Sequence, residues 1–144
     1  MLKCSGIGDG GAAGVVVGVA LVDRSGPTPR ALVARRAGPP ALAGLWEFPG
    51  GKVEPGETDR NALRRECREE LSVEVILGDR LGPDLALPNG AVLRVWVATL
   101  PAGAEPTSRE HAELRWVAAD DLDGLDWIPA DRPLVAELQP LLSG

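Results

Sequence analysis

Three glutamates spaced for one flank of a helix are the residues of this sequence best suited to do chemistry. Glu66, Glu69 and Glu70 stand at positions i, i+3 and i+4, so a helix would gather their carboxylates on one side. Carboxylate oxygens are the ligands that Mg²⁺ and Mn²⁺ prefer. The cluster therefore predicts a divalent-cation site. The alternative interpretation is a solvated acidic face that the arginines of the same segment neutralise.

A glycine-containing loop precedes these glutamates and favours the metal interpretation. Gly50 and Gly51 are adjacent, and glycine lets a backbone approach a ligand closely. Glu57 lies just before the predicted helix, where the helix dipole favours a negative charge. A loop bent by glycine that leads into a row of carboxylates predicts a cradle for a metal ion and phosphate groups.

The elements that must position these residues follow from the pattern of apolar side chains. Thr58 is a candidate N-cap, and Leu63, Cys67 and Leu71 form a stripe on a helix over residues 59–71. Five β-rich runs and a closing helix complete the pattern; they are residues 15–22, 30–36, 73–77, 92–100, 114–117 and 131–142. The first two runs predict a hairpin with a long loop. We expect residues 1–14 to form a flexible N-terminal tail and residues 15–144 to form one domain of α/β or α+β class, with helices on the flanks of a sheet.

Composition limits the partners that this chain can have. Its 144 residues carry a net charge of −6, which argues against binding to a nucleic-acid polymer or an anionic membrane. A small polyanion is still compatible, because bound cations can reverse a local field. His111 is the only histidine, and Cys4 and Cys67 are the only cysteines, so a histidine-rich metal site and a disulfide framework are excluded. With no apolar run of about 20 residues, we expect a cytoplasmic protein.

The segment from Gly51 to Val73 resembles the Nudix box, G-x5-E-x7-R-E-U-x-E-E-x-G-U, where U is a bulky apolar residue. The matching positions are Gly51, Glu57, Arg65, Glu66, Glu69, Glu70 and Val73. Cys67 stands at an apolar position, and Ser72 replaces the second glycine. That glycine lets the chain leave the helix with a positive φ, so Ser72 costs about 1 kcal/mol or forces another exit.

The resemblance continues over nearly the whole chain from Val15. Residues 45–58, LWEFPGGKVEPGET, are similar to the MutT branch, and residues 109–117 and 127–135 are similar to its CTP pyrophosphohydrolase relatives. The resemblance implies the Nudix fold, an α/β/α sandwich with a mixed central sheet. It also implies a Mg²⁺-dependent nucleoside triphosphate pyrophosphohydrolase, with Mn²⁺ as an alternative cofactor. Such an enzyme releases a nucleoside monophosphate and pyrophosphate and cleans the nucleotide pool of damaged members.

The resemblance assigns roles in catalysis and metal binding to individual residues. The implied cation ligands are Glu66, Glu69, Glu70, the carbonyl of Gly50, and Glu110 from a later loop, with Glu113 as the fallback for Glu110. Glu57 and Arg65 are implied to brace the loop against the helix. We predict Glu66 as the general base, with Glu69 and Glu110 as alternatives. Lys52 is a candidate phosphate contact or an ordinary exposed loop lysine.

A second set of residues matches the nucleoside pocket of the family, namely Arg36, Glu47, Phe48 and Asp131. Asp131 stands where MutT-type enzymes carry an asparagine that reads oxidised guanine. An ionised aspartate only accepts hydrogen bonds, which suits the exocyclic amine of cytosine. The alternative is that Asp131 caps the last helix. We expect Trp46 and Trp127 to pack in the core rather than stack on a base, and His111 to be a surface or loop residue.

These residues leave the substrate open. Cytidine nucleotides, including modified dCTP, are slightly favoured over 8-oxo-dGTP. Hydrolysis of ADP-ribose is an alternative, because Pro88 lies about 15 residues past the box. A nucleotide sensor without catalysis is an alternative of another class, although it would predict lost metal ligands. The partner in each case is a small nucleotide, and the sequence is compatible with a monomer or a homodimer.

Overall fold

A computed structural model describes residues 14–143, and in this part of the chain a mixed sheet of seven strands forms the centre. The elements in chain order are β1 Val15–Asp23, β2 Arg30–Arg35, β3 Trp46–Glu47, β4 Gly50–Lys52, α1 Asp59–Leu71, β5 Ile76–Ala86, β6 Val92–Thr99, β7 Glu113–Ala118, α2 Ala119–Leu122 and α3 Arg132–Ser143. The predicted N-terminal tail lies outside the described residues except for Gly14.

Strand β1 is the axis of the sheet. It pairs in parallel with β6 over seven positions and antiparallel with β2 and β4. The path through the sheet is β3-β2-β1-β6-β5, with β4 on β1 and β7 on β2. The contact of Val22 with Ala31 and of Asp23 with Arg30 confirms the predicted β1–β2 hairpin.

The two faces of the sheet are covered by different helices, which the alternation along β1 explains. Val17, Val19 and Leu21 belong to the core under α1, whereas Val16, Ala20 and Val22 belong to the core under α3. Successive strand side chains point to opposite faces, so a strand that is apolar throughout must be covered on both sides. The predicted sandwich of helices around a mixed sheet is confirmed.

Both long helices form where the sequence predicts them. The Oγ1 atom of Thr58 accepts a hydrogen bond from the amide of Asn61 at 3.1 Å, so it is the N-cap of α1. Ser72 ends the helix with φ 59° and ψ 35°, which is the left-handed conformation of the glycine that it replaces. Among the described residues, no helix is long and apolar enough to cross a membrane.

Strand β5 differs from the prediction. The sequence favours a strand over residues 73–77, whereas β5 begins at Ile76 and continues to Ala86. Its pairing with β6 shifts register between Leu77 and Arg80 and again between Leu81 and Leu85. The strand boundary predicted at residue 73 is therefore wrong, because the chain first needs residues 72–75 to leave α1.

Candidate active site

Helix α1 and strand β4 enclose two glutamate side chains. Glu66 and Glu70 are each only 1% exposed. A Cβ atom on Gly51 would collide with the carboxylate of Glu66, and one on Gly50 would collide with the carbonyl oxygen of Val17. The two glycines therefore allow β4 to lie directly against both β1 and the Glu66 carboxylate, a close approach that any side chain would prevent.

Three of the four carboxylate oxygens of these glutamates have no nitrogen or hydroxyl donor among the described residues, although the two carboxyl groups are close enough to hydrogen-bond to each other. Within residues 14–143, no nitrogen or hydroxyl donor reaches Oε1 of Glu66 or either carboxylate oxygen of Glu70. Burial raises the pKa of Glu66. Burial, together with the neighbouring Glu66 carboxyl, raises the pKa of Glu70 to about 10. A buried carboxylate without donors is costly, and a divalent cation would supply the missing positive charge. These two residues fit the metal that the resemblance implies.

The other predicted ligands are placed less closely. The side chain of Glu69 is 43% exposed and lies 3.3 Å from Arg65. Glu110 is half-buried in the loop before β7, near enough for its charge to raise the pKa of Glu70. In the described part of the chain, no three carboxylate, imidazole or thiol groups converge to hold an ion. Glu113, the fallback for Glu110, instead pairs with Arg35 and Arg115.

Arg65 connects the loop to the glutamates of α1. Its guanidinium donates to both carboxylate oxygens of Glu57 at 2.8 and 3.0 Å and to the carbonyl of Lys52 at 2.9 Å. It also donates to Oε2 of Glu66 at 3.0 Å. This pairing lowers the pKa of Glu57 to about 2 and raises the pKa of Arg65. Such a two-point ion pair fixes direction as well as distance, so it holds the loop against the helix.

The remaining basic residues of this segment point elsewhere. Arg68 pairs with Glu74 at 2.5 Å, and Arg64 donates to Asn61 at 3.2 Å. Neither arginine is paired with Glu66, Glu69 or Glu70. Of the three arginines that could have neutralised this acidic face, only Arg65 does so. Lys52 is exposed at the end of β4.

A narrow cleft with a volume of about 20 Å³ opens beside β1. Most of its wall is apolar, contributed by Val16, Leu87, Leu93, Val95, Ile128 and their neighbours. Gly18 lies on the wall, and a Cβ atom there would sit 3.3 Å from Val95. Glu47 and Asp131 are the only ionisable residues among the lining residues. A mostly apolar wall with two polar groups is the kind of lining that small-molecule sites have, although the cleft must widen to admit a base.

The Glu47 carboxylate links the cleft to the glutamates of α1. It lines the cleft, and its negative charge also raises the pKa of Glu70. Arg36 donates to Oε1 of Glu47 at 2.8 Å, and the Arg36 side chain is fully buried. Arg36 therefore lies behind Glu47, which differs from its predicted place on the pocket wall.

His111 is the residue that the sequence analysis missed. Its side chain is completely buried, and its Nε2 atom lies 2.9 Å from Oε2 of Glu47. The expectation of a surface or loop histidine is therefore wrong for the side chain, although the backbone is in a loop. No spacing rule links positions 47 and 111. The only signal in the sequence was that His111 directly follows Glu110.

Asp131, the residue just before α3, lines the cleft. It is 3% exposed, and its Oδ2 atom accepts a hydrogen bond from the amide of Phe48 at 2.8 Å. Burial and, to a smaller extent, the negative charge of Glu47 raise the pKa of Asp131 to about 8. Near pH 7 the carboxyl group is therefore protonated and can donate as well as accept. This differs from the expected ionised aspartate, because burial outweighs the ordinary acidity of the group.

The aromatic residues around the cleft belong to the core, and Phe48 also lines the cleft, as predicted for it. Phe48 and Trp127 are both buried, with ring centroids 4.9 Å apart. The Trp127 indole donates to the carbonyl of Leu122 at 2.8 Å. Trp46 is also buried, and the guanidinium of Arg115 lies 4.7 Å from its ring. The expectation that Trp46 and Trp127 pack in the core agrees with these contacts.

Comparison with known proteins places these features in a family. The NUDIX domain matches residues 13–138. A Mycobacterium tuberculosis protein named "Putative 8-oxo-dGTP diphosphatase 2" is 51% identical over 116 residues, which is 78% of this chain and 82% of that protein. The CTP pyrophosphohydrolase of Escherichia coli is 34% identical over 88% of this chain and 93% of its own length.

A solved structure has the same fold. The solution structure of MutT from methicillin-resistant Staphylococcus aureus 252 superposes with a TM-score of 0.69 at 34% identity, covering 90% of this chain and 98% of that one. Members of the family typically depend on a divalent metal, which agrees with the buried glutamates of α1. The chain therefore belongs to the NUDIX family and is a MutT-like Nudix hydrolase.

Proposed function

We propose that this protein is a Mg²⁺-dependent nucleoside triphosphate pyrophosphohydrolase that cleans the nucleotide pool, with Mn²⁺ as an alternative cofactor. It would release a nucleoside monophosphate and pyrophosphate. The observation that carries the proposal is the buried pair Glu66 and Glu70, three of whose four carboxylate oxygens have no nitrogen or hydroxyl donor within the described residues. Glu47 joins this pair to an apolar cleft, so a base and a phosphate chain would have adjacent places.

Glu66 and Glu70 would hold the cation, with Glu69, Glu110 and the Gly50 carbonyl as the further proposed ligands. When bound, the ion would neutralise phosphate oxygens and lower the pKa of the attacking water. Arg65 keeps Oε2 of Glu66 in place at 3.0 Å. Glu57 in turn holds Arg65 through two hydrogen bonds, so the carboxylates are oriented before the substrate arrives.

Glu66 is our proposed general base. Its Oε2 atom is held by Arg65, whereas its Oε1 atom has no donor within residues 14–143 and can take the proton of a water molecule. Burial raises the pKa of Glu66, which makes it a stronger base than an exposed glutamate. Lys52, exposed at the end of β4, is the proposed phosphate contact.

We propose 8-oxo-dGTP as the leading substrate and cytidine nucleotides, including modified dCTP, as the second candidate. A protonated Asp131 offers one donor and one acceptor. Oxidation at C8 turns N7 of guanine into a donor beside the acceptor O6, whereas ordinary guanine shows two acceptors there. The protonated carboxyl therefore complements the oxidised base and mismatches the normal one. Cytosine also shows a donor beside an acceptor, so it remains compatible.

The names of the relatives agree with both candidates. The Mycobacterium tuberculosis relative is named for 8-oxo-dGTP and is 51% identical to this chain over 116 residues. The Escherichia coli relative is named for CTP and is 34% identical over 128 residues. We rank 8-oxo-dGTP first because the more similar relative carries that name and because the protonated Asp131 removes the argument for a purely accepting group.

The experiment is a comparison of kcat/KM for 8-oxo-dGTP, dGTP, dCTP, 5-methyl-dCTP and ADP-ribose with and without Mg²⁺. Glu66→Gln and Glu70→Gln should each lower kcat by about 10²–10⁴-fold. Glu74→Gln is the matched control, because Glu74 is exposed and its side chain pairs with Arg68. A wild-type protein that binds nucleotides and releases no pyrophosphate would be a sensor and would contradict the proposal.

The base preference has its own test in the pH dependence. Selectivity for 8-oxo-dGTP over dGTP should fall as the pH rises through about 8, where Asp131 loses its proton. Asp131→Asn keeps a donor and an acceptor at every pH, so its selectivity should stay constant over the same range. If dCTP or 5-methyl-dCTP leads by tenfold or more in the wild type, the ranking of substrates is reversed.

A further inference from the structure

A buried chain of three polar side chains runs behind the cleft. Arg36 donates to Oε1 of Glu47 at 2.8 Å, and Nε2 of His111 lies 2.9 Å from Oε2 of the same carboxylate. The side chains of Arg36 and His111 are 0% exposed and that of Glu47 is 2% exposed. Each oxygen of Glu47 thus has its own nitrogen partner, and the carboxylate cannot rotate without losing both.

The direction of the hydrogen bond follows from the charge of its acceptor. Glu47 is paired with the guanidinium of Arg36, which favours its ionised form. An ionised carboxylate only accepts hydrogen bonds. The proton of the imidazole must therefore be on Nε2, and His111 donates to Glu47 in either its neutral or its charged form.

The loop that carries His111 is itself held to the sheet. The Oγ atom of Ser108 accepts a hydrogen bond from the amide of His111 at 2.9 Å. The amide of Ala112 donates to the carbonyl of Arg35 at 2.8 Å. These contacts hold the backbone of His111 independently of Glu47. The imidazole can therefore position Glu47, instead of depending on Glu47 for its own position.

The position of Glu47 matters because this residue faces the cleft. Glu47 and Asp131 both line the cleft, and the charge of Glu47 contributes to the protonation of Asp131. A carboxylate that shifts or rotates would change the polar pattern presented to a base, whereas the apolar walls would stay the same. Discrimination between bases by hydrogen bonds is strong because a mismatch leaves buried polar groups unpaired.

We propose that His111 is a specificity-positioning residue: its Nε2–H group fixes the Glu47 carboxylate at the wall of the nucleobase cleft. This rests on the proposed function, since it concerns how the same cleft selects its nucleotide. His111 does not touch the substrate and is not a catalytic residue. Its loss should change which base is accepted more than how fast the phosphate chain is cleaved.

The first test measures kcat and KM separately for 8-oxo-dGTP, dGTP and dCTP. His111→Leu, which removes the donor at similar volume, should raise KM for the preferred nucleotide by about 10-fold and change kcat by less than about threefold. His111→Gln, which can place an amide N–H near Nε2, should recover most of the affinity. In a Glu47→Gln background, His111→Leu should add no more than about twofold, because the two residues act through one contact.

Thr107→Ala is the matched control. It shortens an exposed side chain of the same loop and keeps the backbone bond from the Thr107 amide to Leu71, so KM and the ranking of nucleotides should stay within about twofold of the wild type. If Thr107→Ala reproduces the effect of His111→Leu, the loop and not the imidazole is responsible. An equal loss for all three nucleotides, or a loss in kcat alone, would also overturn the proposal.

The second test needs no catalysis. Because His111 is the only histidine of the chain, protein labelled with ¹⁵N-histidine gives one set of ring signals. We expect a slowly exchanging Nε2–H signal in the wild type and its loss or rapid exchange in Glu47→Gln. A ring without this proton in the folded wild type contradicts the proposal. If no triphosphate is hydrolysed, the proposed function fails by itself, and Kd values for the same nucleotides then decide the role of His111.

Discussion

The backbone of Ser72 is strained, and the glutamates of α1 just before it keep their positions. With φ 59° it adopts the left-handed conformation, and its amide still donates to the carbonyl of Arg68 at 3.2 Å. A left-handed conformation costs a residue with a Cβ roughly 1–2 kcal/mol. The chain therefore keeps the helix exit that glycine would provide and accepts the strain, because the alternative is to move the buried Glu70 just before it.

We predict that Ser72→Gly stabilises the protein by about 1 kcal/mol, somewhat less than the strain because glycine is also more flexible when unfolded. For a chain of this size the melting temperature should rise by about 3 °C. Thermal and urea unfolding measure both quantities. Ser72→Ala keeps the Cβ and should give no gain. An equal gain from both variants would show that the hydroxyl, not the backbone, is the source of the cost.

At this scale, residue types and spacing predict the box and not its surroundings. The proposed ligands on α1 and the Glu57–Arg65 contact, which the structure contains, came from the resemblance of one loop and one helix to the Nudix box. The contact between Glu47 and His111 joins residues 64 positions apart, which no periodicity reveals. The protonation of Asp131 depends on its burial, a property of the folded molecule. Local chemistry was readable, whereas contacts and pKa values created by tertiary packing were not.

Among the secondary-structure elements, β5 was the hardest to predict. Its residues, ILGDRLGPDLA, include two glycines and Pro83, and most of them are exposed. The strand lies at one end of the sheet path, where a missing amide donor is tolerated, and two register shifts accommodate the irregular residues. The residue types of β5 therefore argue against a strand, and β5 forms because it pairs with the neighbouring β6. The apolar strand β1, buried on both faces, gave a clear signal in comparison.

Burying the Glu70 carboxyl on α1 lowers the free energy of unfolding of the metal-free protein, and the size of this loss should depend on pH. Burial raises the pKa of Glu70 from an ordinary 4.5 to about 10, so the folded protein binds a proton that the unfolded chain releases between these values. The free energy of unfolding should therefore fall as the pH rises from about 5 to 10. Asp131, whose pKa is raised to about 8, adds to the slope in the same direction.

Glu70→Gln should remove the share of this slope that belongs to Glu70. We expect the variant to be more stable than the metal-free wild type by several kcal/mol near pH 9 and equally stable near pH 5. Urea unfolding in EDTA at several pH values measures the difference. The exposed Glu74→Gln variant should follow the wild-type curve. A Glu70→Gln variant that is less stable at every pH would mean that Glu70 is ionised and paired in the folded protein.

Strand β1 gives the cleft its depth through one missing side chain. Gly18 lies on the same face of β1 as Val16 and Ala20, which belong to the core under α3. A Cβ atom on Gly18 would meet Val95 at 3.3 Å and Phe48 at 3.8 Å. We predict that Gly18→Ala raises KM for nucleotides about 10-fold with kcat nearly unchanged, because it narrows the slot for the base and not the phosphate site. Gly26→Ala, at a position with open space, is the control and should leave KM unchanged.

The whole molecule is acidic, and so is the substrate that we propose for it. With a net charge of −6, the protein repels a nucleoside triphosphate at long range. Cations bound at Glu66 and Glu70 would reverse the field where the phosphates lie. Ordinary salt also relieves repulsion by screening. Added ions should therefore stabilise the protein both by screening its charge and by binding at Glu66 and Glu70. An experiment must separate these two effects.

We predict that MgCl₂ raises the melting temperature of the EDTA-treated protein in a saturable way, by the equivalent of about 2.7 kcal/mol at one hundred times Kd. NaCl at matched ionic strength should give a small and unsaturable change. Glu70→Gln should lose most of the Mg²⁺ effect and keep the NaCl effect, because it alters the site while the molecule stays strongly acidic. Equal shifts in wild type and variant would mean that the cation acts on the overall charge, and Glu70 would not be a ligand.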